Sequence, residues 1–120
     1  MIIRPSILLA TLLALAHPAL ADAMQCYGTL PAWSLSLTDG QSVLTTDRDI
    51  PMEVMDITTA EGDRDWPRAL TLVGRSDTAI VLIDQEACQL NSRDYPYQAQ
   101  VLTQYGTVPI LLTGCCEAQE

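Results

Sequence analysis

The stretch that decides the fold runs Val108-Pro109-Ile110-Leu111-Leu112-Thr113-Gly114-Cys115-Cys116, an apolar segment that ends in two adjacent cysteines. Neighbouring side chains of a β-strand point to opposite faces of its sheet, so Cys115 and Cys116 should point in opposite directions. A bond between these two cysteines would strain the peptide that joins them. Each is therefore expected to pair with Cys26 or Cys88, so that this strand is tied to both ends of the fold.

The four cysteines indicate how this small fold is stabilised. Four cysteines in a short secreted chain predict two disulfides, for which three connectivities exist. Strand geometry disfavours Cys115–Cys116 but does not choose between the other two pairings. Loop-closure entropy gives each bridge about 3–5 kcal/mol, whereas a whole domain is stable by only about 5–15 kcal/mol. Reduction of the two disulfides is therefore expected to destabilise the fold severely.

The first 21 residues have the pattern of a secretory signal peptide. Arg4 supplies a positive start, residues 7–16 form an apolar run, and Ala19-Leu20-Ala21 is a small-x-small cleavage site. A membrane span needs about 20 apolar residues, and His17-Pro18 interrupts this run early. The sequence therefore predicts cleavage before Asp22.

The mature product is expected to be one domain over residues 22–120, either periplasmic or secreted, with no membrane insertion after cleavage. Gln25 precedes Cys26, where a lipid-modified cysteine needs a small residue, so a lipid anchor is not predicted. The sequence leaves the oligomeric state of this domain open.

Cleavage would leave the mature chain strongly acidic. It removes Arg4 and His17, so that five arginines remain against fifteen Asp and Glu, a formal charge of −10 with no lysine or histidine. A field of that sign repels nucleic acid and anionic lipid, and it favours a basic protein or cations as partners. The alternative is that the charge serves only to keep a secreted protein in solution.

Short strand patterns separated by turn residues fill the mature chain, as in an all-β fold. A small antiparallel meander closed into a barrel or a strongly rolled sheet is expected, because closure hides strand edges; a two-sheet sandwich is the alternative. A helical pattern is absent apart from a possible turn over residues 84–90. About seven strands are predicted, at residues 33–37, 41–46, 50–54, 66–73, 79–83, 95–105 and 108–116.

Local features refine this strand prediction. Asp39-Gly40 between two strand patterns predicts a type I′ hairpin turn, because both residues must adopt positive φ. A phase shift at Met55-Asp56-Ile57 predicts a β-bulge. Residues 79–83 are apolar on both faces, which is typical of a strand that is buried on two sides or closes a barrel. Residues 89–94 are interpreted as a polar link.

The residues that catalysis usually needs are missing from the predicted mature chain. Without histidine or lysine, it has no Ser-His-Asp triad, Cys-His pair or Schiff base, so we do not expect an enzyme. Carboxylate pairs remain, Asp63 with Asp65 and Asp47 with Asp49, but an arginine between each pair offsets the charge. Neither turn fits a calcium loop. No catalytic, metal or cofactor site is predicted.

The aromatic residues are few, so most are expected to fill the core in place of phenylalanine. The possible binding surface would use Tyr95 and Tyr97 together with Trp33. Pro96 between the two tyrosines is expected to hold their rings on the same face, close to Cys88.

Three motifs, taken in order, resemble a family of bacterial secreted proteins and lipoproteins of uncharacterised function. They are Gly28-Thr29-Leu30-Pro31-Ala32-Trp33-Ser34-Leu35, then Cys88 followed by Tyr95-Pro96-Tyr97, then Gly114-Cys115-Cys116. The family typically has Gly-x-Glu-Pro-Phe-Trp-Ser-Leu at the first motif, so this chain differs from it at Leu30 and Ala32. The resemblance spans nearly the whole mature chain.

The resemblance implies a pairing and a compartment. Family relatives with only two cysteines keep those that match Cys88 and Cys115, which implies Cys88–Cys115 and leaves Cys26–Cys116. The family domain is sometimes joined to one similar to periplasmic inhibitors of c-type lysozyme, which implies a role in the cell envelope.

Three functions are therefore weighed. The favoured one is a non-enzymatic structural or binding module of the cell envelope. The second is an acidic inhibitor or binder of a basic hydrolase such as c-type lysozyme, which the charge favours. The third, a carboxylate-based hydrolase, rests only on the acidic turns.

Overall fold

The computed structural model describes residues 23–119, which contain ten β-strands and no helix. The predicted signal peptide lies outside the described residues. The strands are β1 (Met24–Thr29), β2 (Ala32–Thr38), β3 (Gln41–Thr45), β4 (Asp49–Thr59), β5 (Arg68–Val73), β6 (Thr78–Asp84), β7 (Cys88–Leu90), β8 (Arg93–Tyr95), β9 (Tyr97–Tyr105) and β10 (Val108–Ala118).

Eight of these strands close into an antiparallel barrel in the order β1-β10-β9-β6-β5-β4-β3-β2, and β7 pairs with β8 in a separate two-stranded sheet. The prediction of a closed all-β meander is confirmed, and the sandwich alternative is wrong. The barrel has one strand more than the sequence pattern indicates, because β1 pairs with β2 on one side and with β10 on the other. That double pairing leaves no open edge in the barrel.

Two local predictions about the first strands are confirmed. Asp39 and Gly40 have φ values of 51° and 78°, as the turn between β2 and β3 requires. The pairing of β4 with β5 shifts register between Val54 and Asp56, which is the expected bulge. The prediction that β5 starts at Trp66 is wrong by two residues, because the strand begins at Arg68.

The segment between β6 and β9 differs from its prediction. Residues 89–94 form most of the β7–β8 hairpin instead of a polar link, and residues 84–90 contain no helix. The predicted strand over residues 95–105 is interrupted at Pro96, which has no N–H to donate to a ladder. Tyr95 therefore ends β8, and Tyr97 begins β9.

The two disulfides are Cys26–Cys116 and Cys88–Cys115, as the family resemblance implies. Cys26 lies opposite Cys116 in the register of β1 with β10, and both side chains belong to the core inside the barrel. Cys115 lies on the opposite face of β10, where the β7–β8 hairpin covers it and leaves it 1% exposed. The prediction that the two adjacent cysteines point to opposite faces is thus confirmed.

Side chains fill the inside of the barrel. Each strand turns alternate residues inward, and the fully buried ones are mostly aliphatic, as in other small barrels with packed interiors. The largest are Leu35, Leu44, Met52, Leu70, Leu72, Val81, Ile83 and Val101.

Trp33, which is 4% exposed, is the largest side chain of the core. Its indole Nε1 donates a hydrogen bond to the Thr113 carbonyl oxygen at 3.1 Å. Gly28 and Gly114 lie beside the ring, and a Cβ at either position would collide with Trp33 or, at Gly114, also with the backbone of Tyr27. The two glycines therefore make the space that the indole occupies.

The strand over residues 79–83 is buried on one side only. Its inward residues Ala79, Val81 and Ile83 lie in the core, whereas Ile80 and Leu82 are 45% and 41% exposed on the outer wall. Of the two alternatives predicted for this strand, membership of a closed barrel is confirmed, and burial on both faces is wrong because Ile80 and Leu82 are exposed.

Candidate functional site

A groove of about 430 Å³ lies between the tip of the β7–β8 hairpin and the outer wall of the barrel. We call it the hairpin groove. The polar and aromatic residues that line it are Tyr27, Thr29, Ser34, Thr45, Asn91 and Tyr95, and Leu90 adds an apolar contact.

One row of residues across the barrel forms the wall of the hairpin groove. Cys115 of β10 lies opposite Tyr27 of β1, Tyr27 opposite Ser34 of β2, and Ser34 opposite Thr45 of β3. Directly opposed residues of neighbouring strands place their side chains on the same face of a sheet. The row therefore leads from the disulfide that anchors the hairpin to the far side of the groove.

The hairpin is held over this row by several contacts besides the Cys88–Cys115 bridge. Arg93 of β8 forms an ion pair with Glu117 of β10, at 2.7 Å between Nη2 and Oε1. The same guanidinium lies over the ring of Tyr95, with Cζ 4.6 Å from the ring centroid, and Nη1 donates to the Tyr95 hydroxyl at 3.1 Å. The Tyr95 ring lies 6.1 Å from that of Tyr27. These contacts fix one side of the groove.

The tip of the hairpin turns at Asn91 and Ser92, whose φ values are 53° and 64°. Positive φ at both residues matches the type I′ turn that joins two strands through a two-residue loop. Asparagine adopts this conformation more readily than most residues, since its short polar side chain tolerates it. The turn places Asn91 at the mouth of the groove.

Several polar groups of the hairpin groove are available to a ligand. The side chains of Tyr27, Thr29, Ser34 and Asn91 make no hydrogen bond to another residue in the range 23–119. The hydroxyl of Thr45, in contrast, donates to Asp49 Oδ1 at 2.8 Å. None of the lining residues carries a charge, although the chain as a whole is acidic.

The three aromatic residues predicted for a binding surface do not all meet. Trp33 and Tyr95 both line the hairpin groove, although Trp33 is only 4% exposed. Tyr97 is absent from the lining and packs against the core, with its ring 5.1 Å from that of Trp66. The expectation that Tyr95 and Tyr97 share a face is wrong, because the chain passes at Pro96 from the hairpin into the barrel.

Sequence reasoning missed most of the groove. The sequence pattern places Tyr27 in no strand, and it places Ser34 and Thr45 in strands without indicating a role for either. The sequence does contain a signal for the hairpin, namely the pair Asn91-Ser92, because asparagine and serine are both common in tight turns.

The acidic pairs weighed as catalytic candidates lie in exposed turns. Asp63 and Asp65 belong to the β4–β5 connection, where the Asp65 carbonyl oxygen accepts a hydrogen bond from Arg68 Nε at 2.8 Å. Asp47 and Asp49 lie at the β3–β4 corner, where they accept hydrogen bonds from threonine hydroxyls. Residues 23–119 contain no group of three or more His, Cys, Asp or Glu side chains placed to hold a metal ion.

Among the described residues, no helix has the length and apolar character to cross a membrane. Comparisons of the chain with models of protein families, with curated proteins and with solved structures gave no match.

Proposed function

We propose that this protein is a non-enzymatic binding module of the bacterial cell envelope and that the hairpin groove is its ligand site. The observation that carries this proposal is the set of unused hydrogen-bonding groups in the groove, on Tyr27, Thr29, Ser34 and Asn91. Ligand sites are typically concave, with a few polar groups that fix the orientation of the ligand. The groove has this composition, and two tyrosine rings flank it.

The outside of the barrel is the place for a ligand because its inside is packed. Leu35, Leu44, Leu70 and Val101 are at most 1% exposed and occupy the space that a wider barrel offers to a ligand. A site built on the outer wall needs a second element to make it concave. The β7–β8 hairpin supplies that element, and the Cys88–Cys115 bridge holds it in place.

The chemistry of the groove favours an uncharged ligand that is rich in hydroxyl groups, such as a glycan. Its hydroxyl and amide groups both donate and accept hydrogen bonds, as sugar hydroxyls do. An aromatic ring supplies an apolar surface beside a polar edge, which suits the mixed faces of a sugar. The two disulfides suit an oxidising, extracytoplasmic environment, and within it the proposal places the protein in the periplasm, where the resemblance described above also points.

The test is a titration with neutral oligosaccharides, for example N-acetylglucosamine oligomers and glucans, followed through backbone amide NMR shifts. We expect shifts confined to β1, β2 and the hairpin tip. Ser34→Ala and Tyr27→Phe each remove one hydroxyl, and each should weaken binding by about threefold to tenfold, the equivalent of one hydrogen bond. Thr71→Val, which removes an exposed hydroxyl from β5, is the matched control and should bind as the wild type does.

Two outcomes would contradict the proposal. Shifts that scatter over the barrel, or no shifts with any oligomer, would remove the hairpin groove as the site. Mass analysis of the oligosaccharide after incubation is the second readout, because shortened products would show turnover and thus an enzyme.

The second candidate function is binding of a basic protein, such as a c-type lysozyme. The observation that favours it is the exposure of carboxylates outside the groove, on the turns and along β4, among them Asp39, Glu53, Asp56, Glu61 and Asp63. A field of one sign accelerates the approach of an oppositely charged partner. A carboxylate-based hydrolase gains no support. Asp63 and Asp65 lie in an open turn, and the cavity of about 440 Å³ beside Asp47 is lined by no second carboxylate to form a catalytic pair.

A further inference from the structure

We propose that two copies of this chain associate through the outer face of β5, β6, β9 and β10, which we call the neutral face. The segments that build it, residues 69–73, 78–82, 98–104 and 109–113, contain no charged residue. Asp84, which lies opposite Gln98 in the register of β6 with β9, marks the charged edge of the face. These strands are consecutive neighbours in the barrel, so their outward residues form one continuous surface.

Apolar side chains form the centre of the neutral face. Leu111, Leu102, Ile80 and Thr71 lie opposite one another in the register of the four strands and make a row across the face. The three apolar members are 57%, 48% and 45% exposed. Leu82, two residues along β6 from Ile80, extends the row and is 41% exposed. The largest contiguous apolar patch on a small domain is often functional.

A second copy is the partner that the charges favour. The whole chain has a formal charge of −9, which becomes −10 after the predicted cleavage. Two copies therefore repel each other in most orientations, and the neutral face is where they approach with the least repulsion. The cores of protein interfaces are depleted of charged residues in the same way. A basic protein would instead be drawn to the carboxylates on the turns and on β4, so this face does not suit such a partner.

The polar residues of the neutral face also suit a symmetric contact. Gln98, Gln100 and Gln104 are exposed on β9, and each amide carries both a donor and an acceptor. In a two-fold interface the same patch meets itself, so every group must find a partner among copies of the same residues. Amides meet that condition, whereas carboxylates facing each other do not.

The dimensions of the face predict a weak dimer. Four strands about 4.8 Å apart span roughly 15 Å, and the six steps from Gln98 to Gln104 span roughly 20 Å. With the side chains at its margin, such a patch is smaller than the roughly 800 Å² per partner of a standard stable interface. We therefore expect reversible association, with a dissociation constant in the micromolar range or weaker.

The experiment is sedimentation equilibrium of the mature, oxidised protein at rising concentration and at two salt concentrations. A dimer should appear with concentration, and it should strengthen with salt, because screening reduces the repulsion between two chains of equal charge. Amide NMR shifts that change with concentration should be confined to β5, β6, β9 and β10.

The decisive variant is Leu102→Lys, with Leu30→Lys as its control. Both substitutions reduce the negative charge by one, and Leu30 is 94% exposed and distant from β9 in the chain. If charge repulsion alone limited association, Leu102→Lys would strengthen the dimer. If the neutral face is the interface, Leu102→Lys should associate at least tenfold more weakly than the wild type. Leu30→Lys should associate as strongly as the wild type or more strongly.

Folding of each variant is checked by circular dichroism, and Leu111→Lys, at another exposed position of the row, is the substitute if Leu102→Lys does not fold. A monomer at every concentration would overturn the proposal, as would a dimer that both lysine variants leave unchanged. None of these positions lines the hairpin groove, so binding of an oligosaccharide stays a separate readout.

Discussion

Single residues decide how tightly the barrel closes. Trp33 enters the barrel beside β1 and β10, and it needs Gly28 and Gly114 on those two strands, because a Cβ at either position would collide with its ring. The indole also donates to the Thr113 carbonyl oxygen. One large side chain, two absent side chains and one hydrogen bond thus join the first, second and last strands of the barrel.

Gly40 is the residue with the clearest predicted effect on stability. Its φ is 78° and no atom lies within 4 Å of a Cβ built on it, so a side chain there meets strain in the backbone but no steric contact. Gly40→Val places a β-branched residue in this conformation and should lower the free energy of unfolding by about 1 kcal/mol or more. Chemical denaturation of the oxidised protein measures the change.

Gly40→Asn is the matched control, because asparagine tolerates positive φ better than valine does. It should lose clearly less stability than Gly40→Val. Equal losses in the two variants would mean that the turn is limited by something other than φ.

At the scale of single residues, the sequence predicts those conformations that depend only on neighbouring residues in the chain. Adjacent cysteines must diverge on a strand, and Asp39-Gly40 must turn, whatever surrounds them. The location of Trp33 depends on strands that are distant in sequence, so a tryptophan in a strand pattern does not reveal whether it fills a core or lines a site. In this fold it does both, since its ring is buried and it also borders the hairpin groove.

Among the elements, the β7–β8 hairpin stands apart from the barrel. Its strands pair with each other and with no barrel strand. It is joined to β10 through Cys88–Cys115 and Arg93–Glu117, and to β1 through the contact between the Tyr95 and Tyr27 rings. The barrel disulfide, Cys26–Cys116, instead joins two strands that already pair with each other. The two bridges therefore stabilise different elements, and their removal should have different consequences.

Removal of each bridge separates these roles. Cys26→Ala with Cys116→Ala opens a loop of 90 residues, and Cys88→Ala with Cys115→Ala opens one of 27. Loop-closure entropy predicts a loss of about 4–5 kcal/mol for the first pair and about 3–4 kcal/mol for the second. We expect the first variant to lose global stability, as measured by urea denaturation.

The second variant should keep a folded barrel while amides of β7 and β8 exchange with solvent faster than those of β9 and β10. Hydrogen exchange measured by mass spectrometry distinguishes the two elements. Equal acceleration throughout the barrel would show that the hairpin bridge supports the whole fold.

The sequence predicted the barrel strands with a clear alternation of apolar and polar residues, and it missed the elements that lack one. In β1, Tyr27 and Gly28 interrupt the alternation of apolar inward and polar outward residues. Tyr27 is half-buried outside the barrel, and Gly28 makes space for Trp33. β7 and β8 have three residues each, too few for a periodic pattern. The hairpin groove depends on these three strands, which is why the sequence alone indicates only Trp33 and Tyr95 among the residues that line it.

At the scale of the whole molecule, the distribution of charge divides the surface into an acidic surface and the neutral face. Most of the exposed carboxylates lie on the turns and on β4, and the segments of the neutral face carry no charge, with Asp84 at their edge. These two surfaces respond to salt in opposite directions. Screening weakens the attraction of the acidic surface for a basic partner, and it strengthens contact between two copies of equal charge.

The salt dependence of lysozyme binding therefore tests the second candidate function. If the acidic surface is the contact, titration calorimetry with c-type lysozyme should show affinity falling about tenfold or more between about 10 and 150 mM salt, as the screening length drops from about 30 to about 8 Å. Glu53→Gln combined with Asp56→Asn removes two exposed charges from β4 and should reduce both the affinity and its dependence on salt. Leu102→Gln, which changes the neutral face without changing the charge, is the control and should bind lysozyme as the wild type does.

Binding that salt leaves unchanged would exclude the charge as its cause, and no binding at all would remove lysozyme as a partner. Since self-association is expected to strengthen over the same salt range, the wild type must be measured below the concentration at which it dimerises. A rise in apparent lysozyme affinity with salt would then contradict the charge argument directly, because no dimer would be present to produce it.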